Sequence, residues 1–210
     1  MIRYIYADKL KGHPNLAESM FIDRAYQFKK RLNWKVQINE DGWEIDEYDA
    51  LNPLYIVYVD PEGRHAGSVR VMPTTGRIMT NDHFLDLTDG VRISSPFIWE
   101  CTRFCLAKDA GAGVAAALLG AGLELGLRFG LEQAVGVVYT KTLPLYRRIG
   151  WVPDVVGTDG EGRESISVGL WRMEEVFQSL ISQRSGIPRA AFASWFDASF
   201  NAHEPLEMAA

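Results

Sequence analysis

The stretch from Phe97 to Tyr139 constrains the fold most, because it reads as an apolar strand, a helix and a second strand in immediate succession. Phe97 to Leu106 has the composition of a buried strand, Val114 to Phe129 that of a helix stopping at Gly130, and Val135 to Tyr139 that of another strand. Ahead of it, Met1 to Tyr6 reads as a short strand. Asn15 to Leu32 reads as an amphipathic helix with Leu16, Met20, Phe21, Phe28 and Leu32 near one stripe, so Arg24 and Phe28 share a helix face. Leu54 to Val59 and His65 to Val71 flank Asp60-Pro61-Glu62-Gly63, whose Pro and Gly set a turn, and are expected to form an antiparallel hairpin. Leu143 to Ile149 suits a short helix, Glu164 to Trp171 a last strand, and Met173 to Gln183 an amphipathic helix. Residues 33–52 mix tryptophans and acids without period and read as a long ordered loop, a class that usually carries function; 72–96 is irregular as well. This order implies an α/β (α+β) chain, a three-layer αβα sandwich with a mixed, mostly antiparallel central sheet. Phe192, Trp195, Phe196 and Phe200 recur at helical spacing, so 188–210 is expected to be a helical tail packed on one domain spanning 1–210.

Composition excludes several function classes. With 47% hydrophobic and 23% charged residues the chain is far from the signature of disorder, and 210 residues suffice to bury a full core. A formal net charge of −5 argues against sequence-independent nucleic-acid binding, which needs a basic surface. No apolar run reaches the ~18 residues of a membrane span, and Met1 to Leu10 carries Arg3, Asp8 and Lys9. Neither export nor membrane insertion is supported, and a cytoplasmic location is expected. Cys101 and Cys105 lack a second pair at zinc spacing and read as reduced, buried thiols. His13, His65, His83 and His203 are scattered singly, so no metal site is expected.

The chemistry is carried by Arg24, Phe28 and Trp34, then Glu44-Ile45-Asp46-Glu47-Tyr48-Asp49-Ala50-Leu51-Asn52-Pro53, then Arg70, Phe84 and Trp99-Glu100-Cys101-Thr102-Arg103-Phe104. In order and spacing this set resembles the autoinducer synthase family, the acyl-homoserine-lactone synthases. The resemblance covers the first half of the chain in detail and the second at the level of fold, where the strand, glycine-containing turn, helix, strand and Pro144–Trp151 segment resemble the N-acetyltransferase architecture. It implies a reaction between S-adenosylmethionine and an acyl thioester, carried on acyl carrier protein or coenzyme A. Both are substrates and no cofactor is implied; the products are a lactone, a quorum-sensing signal, and methylthioadenosine.

The substrate's sulfonium, α-amine and carboxylate call for aromatic faces, carboxylates and arginine. Trp34 and Phe28 would turn ring faces to the cation, worth roughly 0.5–2 kcal/mol. Asp46 and Asp49 would hold the ammonium and sulfonium ends, while Arg24 and Arg103 orient carboxylates through forked hydrogen bonds. Glu100 interrupts an apolar strand and needs a partner if buried. It is the candidate base, directly or through water, with a backbone carbonyl as the competing acceptor. Arg103 and Asp46 complete the catalytic set implied by the resemblance, with Arg70 and Phe84 in positioning roles. Phe104, Leu106, Leu118, Leu119, Leu123, Gly136, Val138 and Leu145 are candidates for an acyl-chain pocket. Lys108–Gly113 is a candidate for presenting N–H groups to a pantetheine phosphate. Lys141, Arg147 and Arg148 are candidates for meeting an acidic carrier protein. Many family members that take 3-oxo chains carry a threonine in the strand before the Tyr146 helix; Ala134–Val138 has no hydroxyl, so the resemblance implies an unsubstituted or otherwise non-3-oxo chain.

Taken singly, most of these residues have plainer readings. Phe28 and Phe84 read as core, Asp46 and Asp49 as loop residues or caps, Arg24 as the surface partner of Asp23, and Arg70 as a strand arginine facing water. Lys141, Arg147 and Arg148 read as a solvated helix face. Two other functions compete: a coenzyme A-dependent N-acetyltransferase, and a non-catalytic protein that senses a nucleoside or acyl ligand. The aromatic and acidic set from Arg24 to Asp49 separates them, having no required role in simple acetyl transfer. Glu100 and Arg103 are three apart and would face opposite ways in a regular strand, so a shared site requires a β-bulge between them.

Overall fold

The computed structural model describes residues 1–200. Seven strands form one sheet in the order β1-β2-β3-β4-β5-β7-β6: β1 (Ile2–Tyr6), β2 (Leu54–Val59), β3 (His65–Pro73), β4 (Ile98–Leu106), β5 (Gln133–Tyr139), β6 (Asp154–Asp159) and β7 (Ile166–Arg172). Every neighbouring pair is antiparallel except β4 and β5. Parallel strands need a long crossover, supplied here by α3 (Val114–Phe129), whose end residue Gly130 takes the left-handed φ of 66° that favours glycine. The β4–β5 ladder holds only at Ile98–Gln133, Trp99–Ala134 and Glu100–Val135; beyond it the two strands diverge.

Helices cover both faces, giving the three layers. On one side α1 (Pro14–Arg24) buries Leu16, Ala17, Met20 and Phe21 against Tyr55 and Val57 of β2. On the other, α3 lays Ala117, Leu118, Ala121 and Leu125 over the sheet, flanked by α5 (Glu175–Ser185) and α6 (Arg189–Phe200). Phe192 of α6 is fully buried, and Tyr4 of β1 donates its hydroxyl to the Ala121 carbonyl at 2.9 Å while its ring meets Phe196 edge-on at 5.5 Å. The part of the expected tail beyond residue 200 lies outside the described residues.

Three features depart from the reading above. β6 was not anticipated: Asp154-Val155-Val156-Gly157-Thr158-Asp159 is a largely exposed edge strand that shows no apolar alternation. A side chain at Gly157 would overlap the Leu87 carbonyl, so the strand bends there with a shift in register. The helix expected over Asn15–Leu32 is α-helical only to Arg24 and continues as a π-helical segment, Ala25–Arg31. The irregular 72–96 region holds a short helix, α2 (Met79–His83). The remaining helix, α4 (Leu143–Ile149), lies between β5 and β6 as expected. Among the described residues no helix is long and apolar enough to cross a membrane.

Gly120 of α3 tests the seating of α6. In an exposed helix Gly→Ala stabilises by up to about 1 kcal/mol. Here a Cβ would overlap the Phe192 ring, so Gly120→Ala is expected to cost about 1–3 kcal/mol, as overpacking does. Urea denaturation measures it, and a midpoint equal to or above the parent's would mean that α6 does not sit on Gly120.

Candidate active site

Local chain geometry first brings the acids of the 33–52 loop together. Asp46 Oδ1 accepts the backbone N–H of Tyr48 and Asp49 at 2.9 and 3.2 Å, while Asp49 Oδ2 accepts the N–H of Asp46 at 2.8 Å. Each of the two carboxylates thus accepts the other residue's backbone N–H, which fixes the chain leading into the turn Asp49–Leu51. A second anchor is the Glu44 N–H, which donates to the Phe21 carbonyl of α1 at 3.2 Å.

Three arginines from three elements then close on these carboxylates. Arg24, at the end of α1, bonds Glu44 Oε2 through Nε at 2.7 Å and Asp49 in a two-pronged contact at 3.0 and 2.9 Å. Arg70 of β3 reaches Asp46 at 2.5 and 3.0 Å, Asp49 at 2.9 Å and the Thr102 hydroxyl at 3.0 Å. Arg103 of β4 bonds Glu44 Oε1 at 3.0 Å and Asp46 Oδ2 at 2.7 Å. The contacts form a closed ring of alternating charge, Arg24–Glu44–Arg103–Asp46–Arg70–Asp49 and back to Arg24. Burial opposes ionisation of Asp49, yet the charges of Arg24 and Arg70 and the hydrogen bonds from Arg24 and Tyr55 hold its carboxyl well below the usual carboxylate range.

Arg103 is the member of the ring that lines a cavity of about 570 Å³. The strand delivers it there by a bulge: Arg70 pairs with Thr102 but Ser68 pairs with Cys105, so Val69 faces both Arg103 and Phe104. Arg103 itself has a φ of 52°, in the left-handed region that costs a non-glycine residue about 1–2 kcal/mol. Its guanidinium lies 5.4 Å from the Phe28 ring centroid; Phe28 is stacked on Trp34 at 4.9 Å, and Trp34 Nε1 donates to the Tyr139 hydroxyl at 2.6 Å. From this polar and aromatic end the wall continues without interruption over Phe104, Leu118, Leu119, Gly136, Val138 and Leu145.

The family model of the autoinducer synthases matches residues 8–179. The chain belongs to the autoinducer synthase family. It is similar to the acyl-homoserine-lactone synthase of Rhizobium etli, 39% identical over 178 residues that cover 81% of this chain and 84% of that protein. The isovaleryl-homoserine lactone synthase of Bradyrhizobium diazoefficiens is 30% identical over 159 residues, 74% of this chain and 68% of that one. Among solved structures it resembles BjaI, described as a coenzyme A-dependent acyl-homoserine lactone synthase with SAM and isopentyl-CoA, at a TM-score of 0.80 and 25% identity over 90% of both chains. An N-acetyltransferase from Lactobacillus plantarum, at a TM-score of 0.52 and 14% identity over 82% of this chain and 99% of that one, shares the fold alone.

Within this autoinducer synthase the predicted residues are not all placed alike. Phe28, Trp34, Phe84 and Arg103 line the cavity, while Arg24, Arg70, Asp46 and Asp49 stand behind Arg103 in the ring. The plain readings of Arg24 and Arg70 fail, because both are buried; Asp23 pairs instead with His65 at 2.7 Å. The bulge sits at Arg103 and Phe104 rather than between Glu100 and Arg103. Glu100, 1% exposed, is absent from the cavity wall: its two oxygens accept the N–H groups of Thr80 at 2.6 Å and Met79 at 3.1 Å, and Met79 is the wall residue that touches Arg103. Leu123 and Leu106 are not on the wall either, Leu123 being sealed in the core and Leu106 lying over Gly67 at the end of β4. The Lys108–Gly113 turn stays off the wall, Arg147 and Arg148 are exposed on α4, and Lys141 sits at the cavity 4.2 Å from the Tyr139 ring centroid. Glu44 and Tyr139 received no role from the sequence. Nothing local distinguishes Glu44 from the exposed acids around it, and Tyr139 reads simply as the end of a strand.

The ring predicts the acid limb of stability. Because Asp49 is depressed in the folded state, its contribution is complete above the ordinary carboxylate pKa of ~3.9 and is lost as pH falls below that toward its folded value. Asp49→Asn is expected to be less stable at pH 7 and to lose less stability than the parent between pH 5 and pH 2. Urea denaturation across that range measures both; parallel stability curves for the two proteins would remove Asp49 from the ring's electrostatics.

Proposed function

We propose that S-adenosylmethionine binds at the Phe28–Trp34–Arg103 end of the cavity, and that an acyl thioester fills the Phe104–Leu118–Gly136 end with its carbonyl where the two halves meet. The chain is an acyl-homoserine-lactone synthase, an acyltransferase that makes quorum-sensing signals. The observation that carries the mechanism is the single cavity wall that runs from the charged ring to an apolar tunnel. Arg103 is fixed on its inner side by Glu44 and Asp46, so its outer edge presents N–H donors to the substrate carboxylate. Phe28 is engaged by Trp34 and Arg103, so the half-buried Trp34 ring turns its free face to the sulfonium. Asp46, Asp49 and Arg24 stand behind Arg103 and act on the substrate through it.

A free α-amine has a pKa of about 7.7–8.0, so a sizeable fraction is already neutral near pH 7.5. Its lone pair attacks the thioester carbonyl, the C–S bond breaks, and the thiol carries away the proton equivalent. The methionyl carboxylate then attacks the carbon bonded to the sulfonium; the C–S electron pair returns to sulfur, closing the lactone and freeing methylthioadenosine. Both reacting groups of this step belong to one molecule, so positioning supplies most of it. Glu100 is assigned a positioning role, because both its oxygens already hold the Met79–Thr80 backbone against the cavity; water or a backbone carbonyl takes the amine proton. Cys101 lines the cavity, but burial, and secondarily the charge of Glu100, push its thiol up to about 12. It stays neutral, which supports direct transfer without an acyl-enzyme.

The thioester arm is common to acyl carrier protein and coenzyme A. Exposed Arg147 and Arg148, on the helix whose Leu145 lines the cavity, favour an acidic carrier protein as the donor. BjaI is described as coenzyme A-dependent, so the deciding assay runs both donors with S-adenosylmethionine and follows methylthioadenosine. Methylthioadenosine is expected with at least one donor, and faster with the carrier protein; free thiol released without it would mean plain acyl transfer to another amine.

Two further outcomes are expected. Glu100→Gln lowers kcat/KM tenfold or more but keeps the acid limb of the pH–rate profile, which belongs to the substrate amine; disappearance of that limb would make Glu100 the base instead. Mass spectrometry of the enzyme mixed with acyl donor alone shows no acyl adduct, and an adduct on Cys101 would replace direct transfer with a two-step route.

A further inference from the structure

We propose that Gly122 sets the far limit of the acyl tunnel and so selects longer alkyl chains over short or branched ones. The inference rests on the synthase reading above. α3 carries glycines at 120, 122 and 126, and a glycine inside a helix is destabilising relative to alanine, so each needs a physical reason. Two have one in packing: a Cβ at Gly120 would overlap the Phe192 ring, and one at Gly126 the Met173 side chain.

Gly122 has no such neighbour. A Cβ there would meet only Ile56 Cδ1 at 3.9 Å, an ordinary contact. What Gly122 does border is the cavity, as the last residue of α3 on its wall after Leu118 and Leu119. On β5 the wall likewise ends at a small residue, Ala134, which pairs with Trp99 where the two parallel strands still close the base of the cleft. On this side of the cleft Gly122 and Ala134 are the small residues of the wall, with Trp171 directly opposite Ala134 on β7. Bare backbone at Gly122 keeps open a volume that the fold has no need of, in a stretch that offers only apolar contacts. That volume is reached only by the terminal carbons of a long chain; a short or branched acyl group stops before it.

The experiment compares the full chain with Gly122→Ala and Gly122→Val on a series of saturated acyl donors from short to long, each read by methylthioadenosine release. One methylene that no longer fits an apolar pocket is worth roughly 10–200-fold. The ratio of kcat/KM for long over short donors is expected to fall tenfold or more in Gly122→Val and by less in Gly122→Ala. Gly122→Ala is also expected to melt at or above the parent temperature, unlike Gly120→Ala, which shows that any change in profile comes from the tunnel and not from the fold. A parent enzyme that prefers short or branched donors, a ratio unchanged in both variants, or an equal fall for all donors overturns the proposal. If no donor of any length releases methylthioadenosine with the parent, the synthase reading itself falls, and the tunnel limit with it.

Discussion

The closed ring of three guanidinium and three carboxylate groups is the interaction on which the site depends. Its members come from α1, the 33–52 loop, β3 and β4, so it ties the amino-terminal third of the chain to the middle of the sheet. An isolated ion buried this deeply would be prohibitive, and removing one partner of a buried pair typically costs about 3–5 kcal/mol. A ring in which each charge touches two of opposite sign leaves none uncompensated and has no net charge. That neutrality allows Arg24 and Arg70 to lie fully inside the protein, and it holds the Arg103 backbone in a left-handed conformation that a free strand would abandon. Arg103, 10% exposed, is the ring's outlet: one edge belongs to the network and the other to the cavity.

The cavity exists because the sheet fails locally. β4 and β5 are the one parallel pair, joined through α3, and they hold together over only three residue pairs before parting. The bulge at Arg103 and Phe104 lies on β4 just beyond that ladder, so the β4 edge of the cleft bends where the strands part. At the fork, a Cβ on Gly136 would lie 3.0 Å from the Cys101 carbonyl oxygen, closer than nearly all real contacts, and glycine lets the two backbones approach before they diverge. The ring polarises one part of this cleft and α3 supplies apolar side chains to another, which gives one space both a charged end and an apolar end.

Much of this was legible beforehand, for identifiable reasons. Strong periodicity marked α3 and α4 to the residue, and the turn residues between β2 and β3 marked the hairpin. Arg24, Phe28, Trp34, Asp46, Asp49, Arg70 and Arg103 stood out through their joint order, although Arg70 alone reads as a surface residue. β6 was invisible because an exposed edge strand has no apolar alternation to read. The π-helical segment after Arg24 escaped because its composition is that of an ordinary helix; what defines it is a bond such as Leu32 N–H to the Gln27 carbonyl at 3.0 Å. Leu106 and Leu123 have the apolar character of tunnel residues, and only their direction excludes them.

Residue pattern by itself determined the layers of this protein, the helix that crosses between its parallel strands, and the set of charged and aromatic residues that had to find one another. The layers and the crossover follow from local periodicity, which is written in neighbouring residues, whereas the charged and aromatic set was legible only through the order and spacing it shares with the autoinducer synthases. Tertiary structure alone decided that the charges close into a ring through Glu44, that Glu100 turns to the Met79–Thr80 backbone, and that Gly122 borders the cavity while Gly120 meets Phe192. Each of these depends on which atoms from distant parts of the chain arrive at the same point, and no spacing along the chain encodes that.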